Sequence, residues 1–366
     1  MSSPVAVPTH VKALDGVRAL AVLAVMLVHA GAPGFSWGGI GVDVFFVLSG
    51  FLITTLLLQE HANTGRIDLW AFLLRRARRL LPAYYLYLAV LCGVMLLLPD
   101  PGFAEEGGWN VGGYLLALWL HAINFVPQGG IWRHQILTVH LWSLALEQQY
   151  YLVWAPTLAA VLRHGRWVAA GTAALAALAA LAYGAWPEGL LKDHMLFTRG
   201  FLLLVGSAVA AWGMTRPAVA ARVAQAAGRW PLGVLLAALV VWGTTLSARP
   251  TPGGHDLALV VLSLALGLFI QQLWLGMAPV CVSRFLQRPS WVWMGQVSYG
   301  AYIYHEAVRV LVWAVLKPLM VSWPPALGFA TRLGLYLALT FVLAGWSHRY
   351  WEQRFLRKST TSRRAA

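Results

Sequence analysis

The sequence predicts an all-α, polytopic membrane protein, and three observations carry that reading. Apolar residues make up 59% of the 366 positions and charged residues only 11%, against roughly a quarter charged in soluble chains. Mean hydropathy is +0.66, and so few charges could not cover the surface of a soluble protein with this much apolar material. The apolar residues also form continuous runs, whereas the strands of a membrane barrel alternate polar and apolar. Helices are therefore the spanning elements.

A crossing helix needs about 20 mostly apolar residues. Runs of that kind lie at 13–32, 40–59, 81–99, 141–162, 167–186, 195–214, 231–248, 257–276, 298–317 and 326–347, which predicts about ten transmembrane helices. An eleventh, weaker run at 112–127 opens with two glycines and carries His121 and Asn124. Charge asymmetry decides its role. With the N-terminus inside and 112–127 not crossing, 20 of the 27 Lys and Arg fall in cytoplasmic segments. Only Arg133, Lys192, Arg249 and Lys317 fall outside, and Arg199, Arg309 and Arg332 lie within spans. A crossing at 112–127 would invert every later loop and erase that bias. The segment is expected to be re-entrant or interfacial.

The expected organisation follows. Residues 1–12 form a cytoplasmic N-terminal segment, 13–356 a transmembrane domain and 357–366 a cytoplasmic tail, in a multi-pass protein of the cell membrane. The net charge of +14 marks cytoplasmic loops and contact with membrane lipids, not nucleic acid. Cys92 and Cys281 stand far apart, which supports neither a disulfide framework nor a cysteine metal site. No small-residue cleavage site follows the first apolar run.

Ionisable residues inside spans are costly, so each is a functional candidate. In the first span, Arg18 and His29 stand 11 positions apart, three helical turns plus about 20°, on one face and about 16 Å apart along the axis. Arg18 is near the cytoplasmic end and His29 near the outer end. Asp43, at the outer end of the second span, is either a carboxylate for the His29 ring or a cap on its own helix. Glu147 lies about two turns into the fourth span, an acid among Leu and Tyr, and with His140 it falls in the same outer third. Between spans two and three, Arg75, Arg76, Arg78 and Arg79 form a dense cationic patch. It serves either lipid headgroups and topology or a phosphate clamp, for which planar guanidinium groups are suited. In the ninth span, Glu306 and Arg309 are spaced to pair, with His305 beside them in a structural role.

Six stretches resemble the membrane acyltransferase-3 family: the Arg18/His29 pair, GVDVFFVLSGFLI at 41–53, FLLRRARRLLPAYY at 72–85, HLWSLALEQQYYLVW at 140–154, SYGAYIYHEAV at 298–308 and HRYWEQRF at 348–355. They run in the family's order over about residues 12–356. The resemblance implies an O-acyltransferase that moves an acyl group, commonly acetyl, from acyl-CoA to a hydroxyl of a surface sugar, a cell-envelope glycan or a macrolide-type metabolite. It implies His29 as the catalytic histidine with Glu147 as a site acid. Arg18 becomes the partner of His29, with Arg75, Arg76 and Arg79 holding the donor. One departure stands out: Gln148 follows Glu147, where the family often has a second acid. A thioester is already an activated donor, so no metal is expected. The alternative reading is a proton-coupled transporter of a small polar solute, since intramembrane His, Asp and Glu also suit proton relays.

Overall fold

The computed structural model describes residues 10–97, 111–126, 136–163, 168–187, 190–245 and 254–356. The tail 357–366, most of segment 1–12, Arg133 and Arg249 lie outside these residues. Among the described residues every regular element is helical. In chain order they are α1 (Lys12–His29), α2 (Ile40–Thr64), α3 (Leu69–Leu97), α4 (Val111–Trp119), α5 (Leu141–Arg163), α6 (Val168–Ala185), α7 (Leu190–His194), α8 (Phe201–Thr215), α9 (Pro217–Ala227), α10 (Trp230–Thr245), α11 (Gly254–Trp274), α12 (Val280–Leu286), α13 (Pro289–Gln296), α14 (Ser298–Leu319) and α15 (Pro325–Ser347).

Each of the ten apolar runs carries a helix. Among the described residues, four helical stretches are long and apolar enough to cross a bilayer, at Ser36–Thr64, Val168–Ala185, Asp256–Trp274 and Pro325–Leu356. The pair α8 and α9, bent by 120°, makes a fifth if counted as one broken span. Three of the helices outside that set carry charge. Helix α1 carries Lys12, Asp15 and Arg18, α3 carries four arginines, and α14 carries Glu306, Arg309 and Lys317. These charged helices are the ones that build the site. Among the described residues the run at 112–127 coincides with α4, nine residues, about 14 Å long and half a hydrocarbon core. A turn with His121 at φ 52° follows, then a short 3-10 turn at Ile123–Phe125.

Close backbone approach locks the centre. Gly50 of α2 faces the Leu203 carbonyl of α8, and Gly206 of α8 faces the Val47 carbonyl of α2. A Cβ at either position would strike backbone, so only glycine lets these helices touch. Helix α2 ends at Gly65, whose φ of 74° is the left-handed conformation of a helix C-cap. The main apolar core joins α1, α2, α5, α8 and α11, and a second core joins α1, α3, α4, α14 and α15. Helix α1 belongs to both, which is why its polar residues meet partners from distant sequence.

Candidate active site

Two cavities adjoin along α1 and α2. The first, about 530 Å³, is lined by Arg18 from α1 and by Arg76 and Arg79 from α3. Arg18 donates from Nε to Ser298 Oγ at 3.2 Å and sits over the Phe45 ring. Arg76 lies over the Phe72 ring, and its Nε is buried with no hydrogen-bond partner among the described residues. Burial first, then the charge of Arg79, pulls the Arg76 guanidinium down to about 10. It therefore stays cationic near neutral pH.

Arg75 takes no part in this lining. Its guanidinium pairs with Glu60 of α2 at 2.5 Å. At 100° per residue Arg79 lies between Arg75 and Arg76 around α3, and Glu60 claims the flank that turns away. Glu147 also lies elsewhere than expected. The sequence puts it in the outer third with His29, whereas it lines the arginine cavity, where its Oε1 accepts hydrogen bonds from Ser49 and Tyr151. Depth counting gives a residue's height in a helix, not the face on which it emerges.

The second cavity, about 320 Å³, is lined by His29, Asp43, His140, Trp142, Arg199 and Tyr302, among others. Val42 and Tyr302 line both cavities. The carboxylate at the His29 ring is Glu306, not Asp43. His29 Nδ1 lies 2.8 Å from Glu306 Oε1 and 2.7 Å from His305 Nε2. Asp43 is instead engaged by Arg199 at 2.8 Å, and Arg199 also holds Asp193 at 2.9 Å. A guanidinium satisfies a buried carboxylate better than a neutral imidazole does.

The proton positions follow from the partners. His305 Nδ1 lies 2.6 Å from the Tyr302 carbonyl, which can only accept, so Nδ1 carries the hydrogen and Nε2 is an acceptor. His29 Nδ1 then carries the hydrogen shared between Glu306 and His305, which leaves His29 Nε2 as a lone pair. Glu306 is fixed from its other oxygen by Arg309, at 2.7 and 2.9 Å. The Glu306–Arg309 pair was expected as a structural feature; its contact with His29 was not. His140 packs edge-on to His305 at 4.7 Å between ring centroids and meets the Ile303 carbonyl at 3.1 Å.

His29 Nδ1, His305 Nε2 and Glu306 Oε1 lie within 4.8 Å of one another, a donor set that could hold a metal ion. The hydrogen bonds above already account for each of these atoms, and Arg309 on the same carboxylate opposes a second cation beside it. The arrangement has the logic of a base whose tautomer is set by a carboxylate.

The family described as an acyltransferase domain, acyltransferase 3, matches residues 11–348. A putative O-acetyltransferase of Staphylococcus aureus strain COL, SACOL0978, is 37% identical over 157 residues, which is 42% of this chain and 25% of that protein. The O-acetyltransferase OatA of Staphylococcus aureus strain NCTC 8325 is 36% identical over 158 residues, 43% of this chain and 26% of that protein. The matched stretch is thus about a quarter of each relative's length. No solved structure matches the chain.

Proposed function

The chain belongs to the acyltransferase-3 family, and on that premise we propose that it is an integral-membrane O-acyltransferase. It moves an acyl group, acetyl by preference, from acyl-CoA to a hydroxyl of a carbohydrate, a cell-envelope glycan or a macrolide-type metabolite. One observation carries the reading: the arginine cavity and the His29 cavity share Val42 and Tyr302 as walls. A polyanionic donor suits the first, and a hydroxyl acceptor suits the second. The working topology is ten spans with both termini cytoplasmic, which puts the arginines on the side where acyl-CoA is made.

Arg76, Arg79 and Arg18 hold the phosphates of the donor, and the thioester extends along the cavity toward Val42 and Tyr302. The acceptor hydroxyl presents its proton to His29 Nε2 as its oxygen attacks the thioester carbonyl. Glu306 stabilises the imidazolium that forms, held in place by Arg309. Collapse of the tetrahedral intermediate breaks the carbon–sulfur bond. The His29 proton passes to the departing thiolate, so ester and free CoA thiol leave and the base is regenerated. No step calls for a metal.

The test is turnover in nanodiscs with labelled acetyl-CoA and extracts of the producing cells. Mass spectrometry should find a species heavier by one acetyl group, made by the wild-type protein, unaffected by a chelator, and absent with His29→Gln. Proton-coupled solute uptake into proteoliposomes with no acylated product would overturn the reading in favour of a transporter. Single-cysteine labelling in a Cys92/Cys281-free background tests the topology. Positions beside Arg66, Arg222 and Arg288 should react only after permeabilisation, and those beside Arg249 without it.

A further inference from the structure

A third cavity, about 660 Å³, runs along α1 and is walled on the other side by α10 and α11. Its lining is apolar almost throughout, for instance Leu20, Ala24 and Leu27 of α1, Leu236 of α10, and Leu259 and Leu266 of α11. Between Val17 and Leu27 it follows ten residue-to-residue steps of helix, about 15 Å. Of the polar groups on its walls, Asp43 is engaged by Arg199, the Trp37 indole by the Gly34 carbonyl and the Ser263 hydroxyl by the Val260 carbonyl. Such a groove takes an alkyl chain and offers nothing to a sugar.

Its connections identify whose chain that is. The groove shares Trp37, Ile40 and Asp43 with the His29 cavity and no residue with the arginine cavity. A chain lying in it therefore continues into the acceptor side of the site, not the donor side. The far end is polar, with Asp43, Arg199, His140 and Ser36 around His29. Apolar groove and polar chamber in line fit one amphiphile. Leu20 and Leu236, 40% and 55% exposed, mark the side on which the groove is open, so a lipid can enter laterally. We propose that the acceptor is lipid-linked: its alkyl or isoprenoid chain lies in this groove, and its hydroxyl-bearing head reaches His29. This rests on the acyltransferase reading and names the class of acceptor within it.

The first test asks for binding without chemistry. A maltoside with a dodecyl chain ending in a diazirine is photolysed with the protein in nanodiscs, and labelled peptides are mapped. Label should concentrate on 20–27, 232–236 and 259–266, well above Leu178, Leu181 and Val342, which are 63%, 70% and 66% exposed elsewhere on the surface. Excess dodecyl maltoside should compete; maltose should not. Label spread according to exposure would overturn the proposal, because the groove would then be ordinary lipid-facing surface. Leu20→Trp and Leu236→Trp, which fill the mouth, should each reduce the label about 10-fold, the equivalent of losing burial of two methylenes. Donor binding and thermal stability serve as controls for folding.

The second test follows the product. Membranes of the producing cells are incubated with labelled acetyl-CoA and extracted with chloroform and methanol. His29-dependent label in the organic phase on a species whose mass spectrum shows an alkyl or isoprenoid chain supports a lipid-linked acceptor, and organic-phase label on a species without one overturns it. Label confined to the aqueous or polymer fraction overturns it and leaves the acyltransferase intact. No His29-dependent label in any fraction overturns both.

Discussion

The arginine cavity and the His29 cavity treat charge in opposite ways. Around His29, Glu306 is shared by His29 and Arg309, and Asp43 is held by Arg199. Around Arg76 the pairing fails: among the described residues none of the cavity's carboxylates forms an ion pair with Arg18, Arg76 or Arg79, for Asp15 meets His10, Glu147 accepts from Ser49 and Tyr151, and Glu352 accepts from Ser347. A buried polar atom without a partner costs about 1–3 kcal/mol, and each end carries one among the described residues, Arg76 Nε in the arginine cavity and His140 Nδ1 beside His29. The contrast separates two tasks. On the proposed function, the paired end is built beforehand so that a proton can move without rearrangement, and the unpaired end is offered to the anionic donor.

The contrast breaks most visibly at His29. His29→Gln keeps a hydrogen-bonding side chain but cannot take the proton, so turnover should fall by about 10²–10⁴. Folding, read by thermal shift, and CoA binding should both survive, because the phosphates are held elsewhere. Substantial turnover in this variant would make the imidazole a structural group and remove the base from the paired end.

Glu306→Gln asks whether the pairing itself matters. The substitution keeps the size of the side chain and leaves Arg309 with an amide. Loss of the charge that stabilises the imidazolium should lower kcat by about 10²-fold, the low end of what general acid–base groups contribute. KM for the donor should stay unchanged, a split that mere loosening of α14 would not produce. Equal loss in kcat and donor affinity would mean that the two cavities are not separate devices.

These residues show what the sequence made legible. Arg18 and His29 lie on one face of one helix at a spacing that can be counted, and continuous apolar runs placed helices at all ten expected positions. The partner of His29 could not be counted, because Glu306 lies in another helix, 277 positions along the chain. Helical periodicity orders residues within an element and is silent on which elements meet. A usable signal was present: three ionisable groups, His305, Glu306 and Arg309, inside one apolar helix are more than a single structural ion pair explains. Glu147 and Asp43 show the same limit, since position along a helix can be counted and the neighbour that its face meets cannot. The third cavity left no local mark, because leucines that line a groove read like leucines that face lipid.

Arg76→Ala tests the unpaired end. A hydrogen bond to a charged group contributes about 1.5–3 kcal/mol, so the donor's KM should rise about 10–100-fold while kcat changes little. The same contact should weaken as salt is added, because part of the cavity is open to solvent. A salt-independent KM close to wild type would leave the unpartnered Nε without a ligand, and the comparison between the cavities would collapse.

The smallest effect sharpens the comparison most finely, because it falls on neighbours in one helical turn. Arg75 and Arg76 are adjacent in sequence and identical in chemistry, yet Arg75 is paired with Glu60 at 2.5 Å and lies off the cavity wall. Its side chain is 39% exposed, and ion pairs in that setting contribute about 0–1 kcal/mol. Arg75→Ala should therefore change the donor's KM by no more than about threefold, with at most a slight loss of thermal stability. Arg79, which lies between them around the helix and does line the cavity, should behave like Arg76. Donor titrations of the three alanine variants at low and moderate salt decide the matter. If Arg75→Ala matches Arg76→Ala in size and salt dependence, the clamp is a diffuse field of the whole patch. If only Arg76 and Arg79 respond, phosphate is read by the face of α3 that Glu60 leaves free.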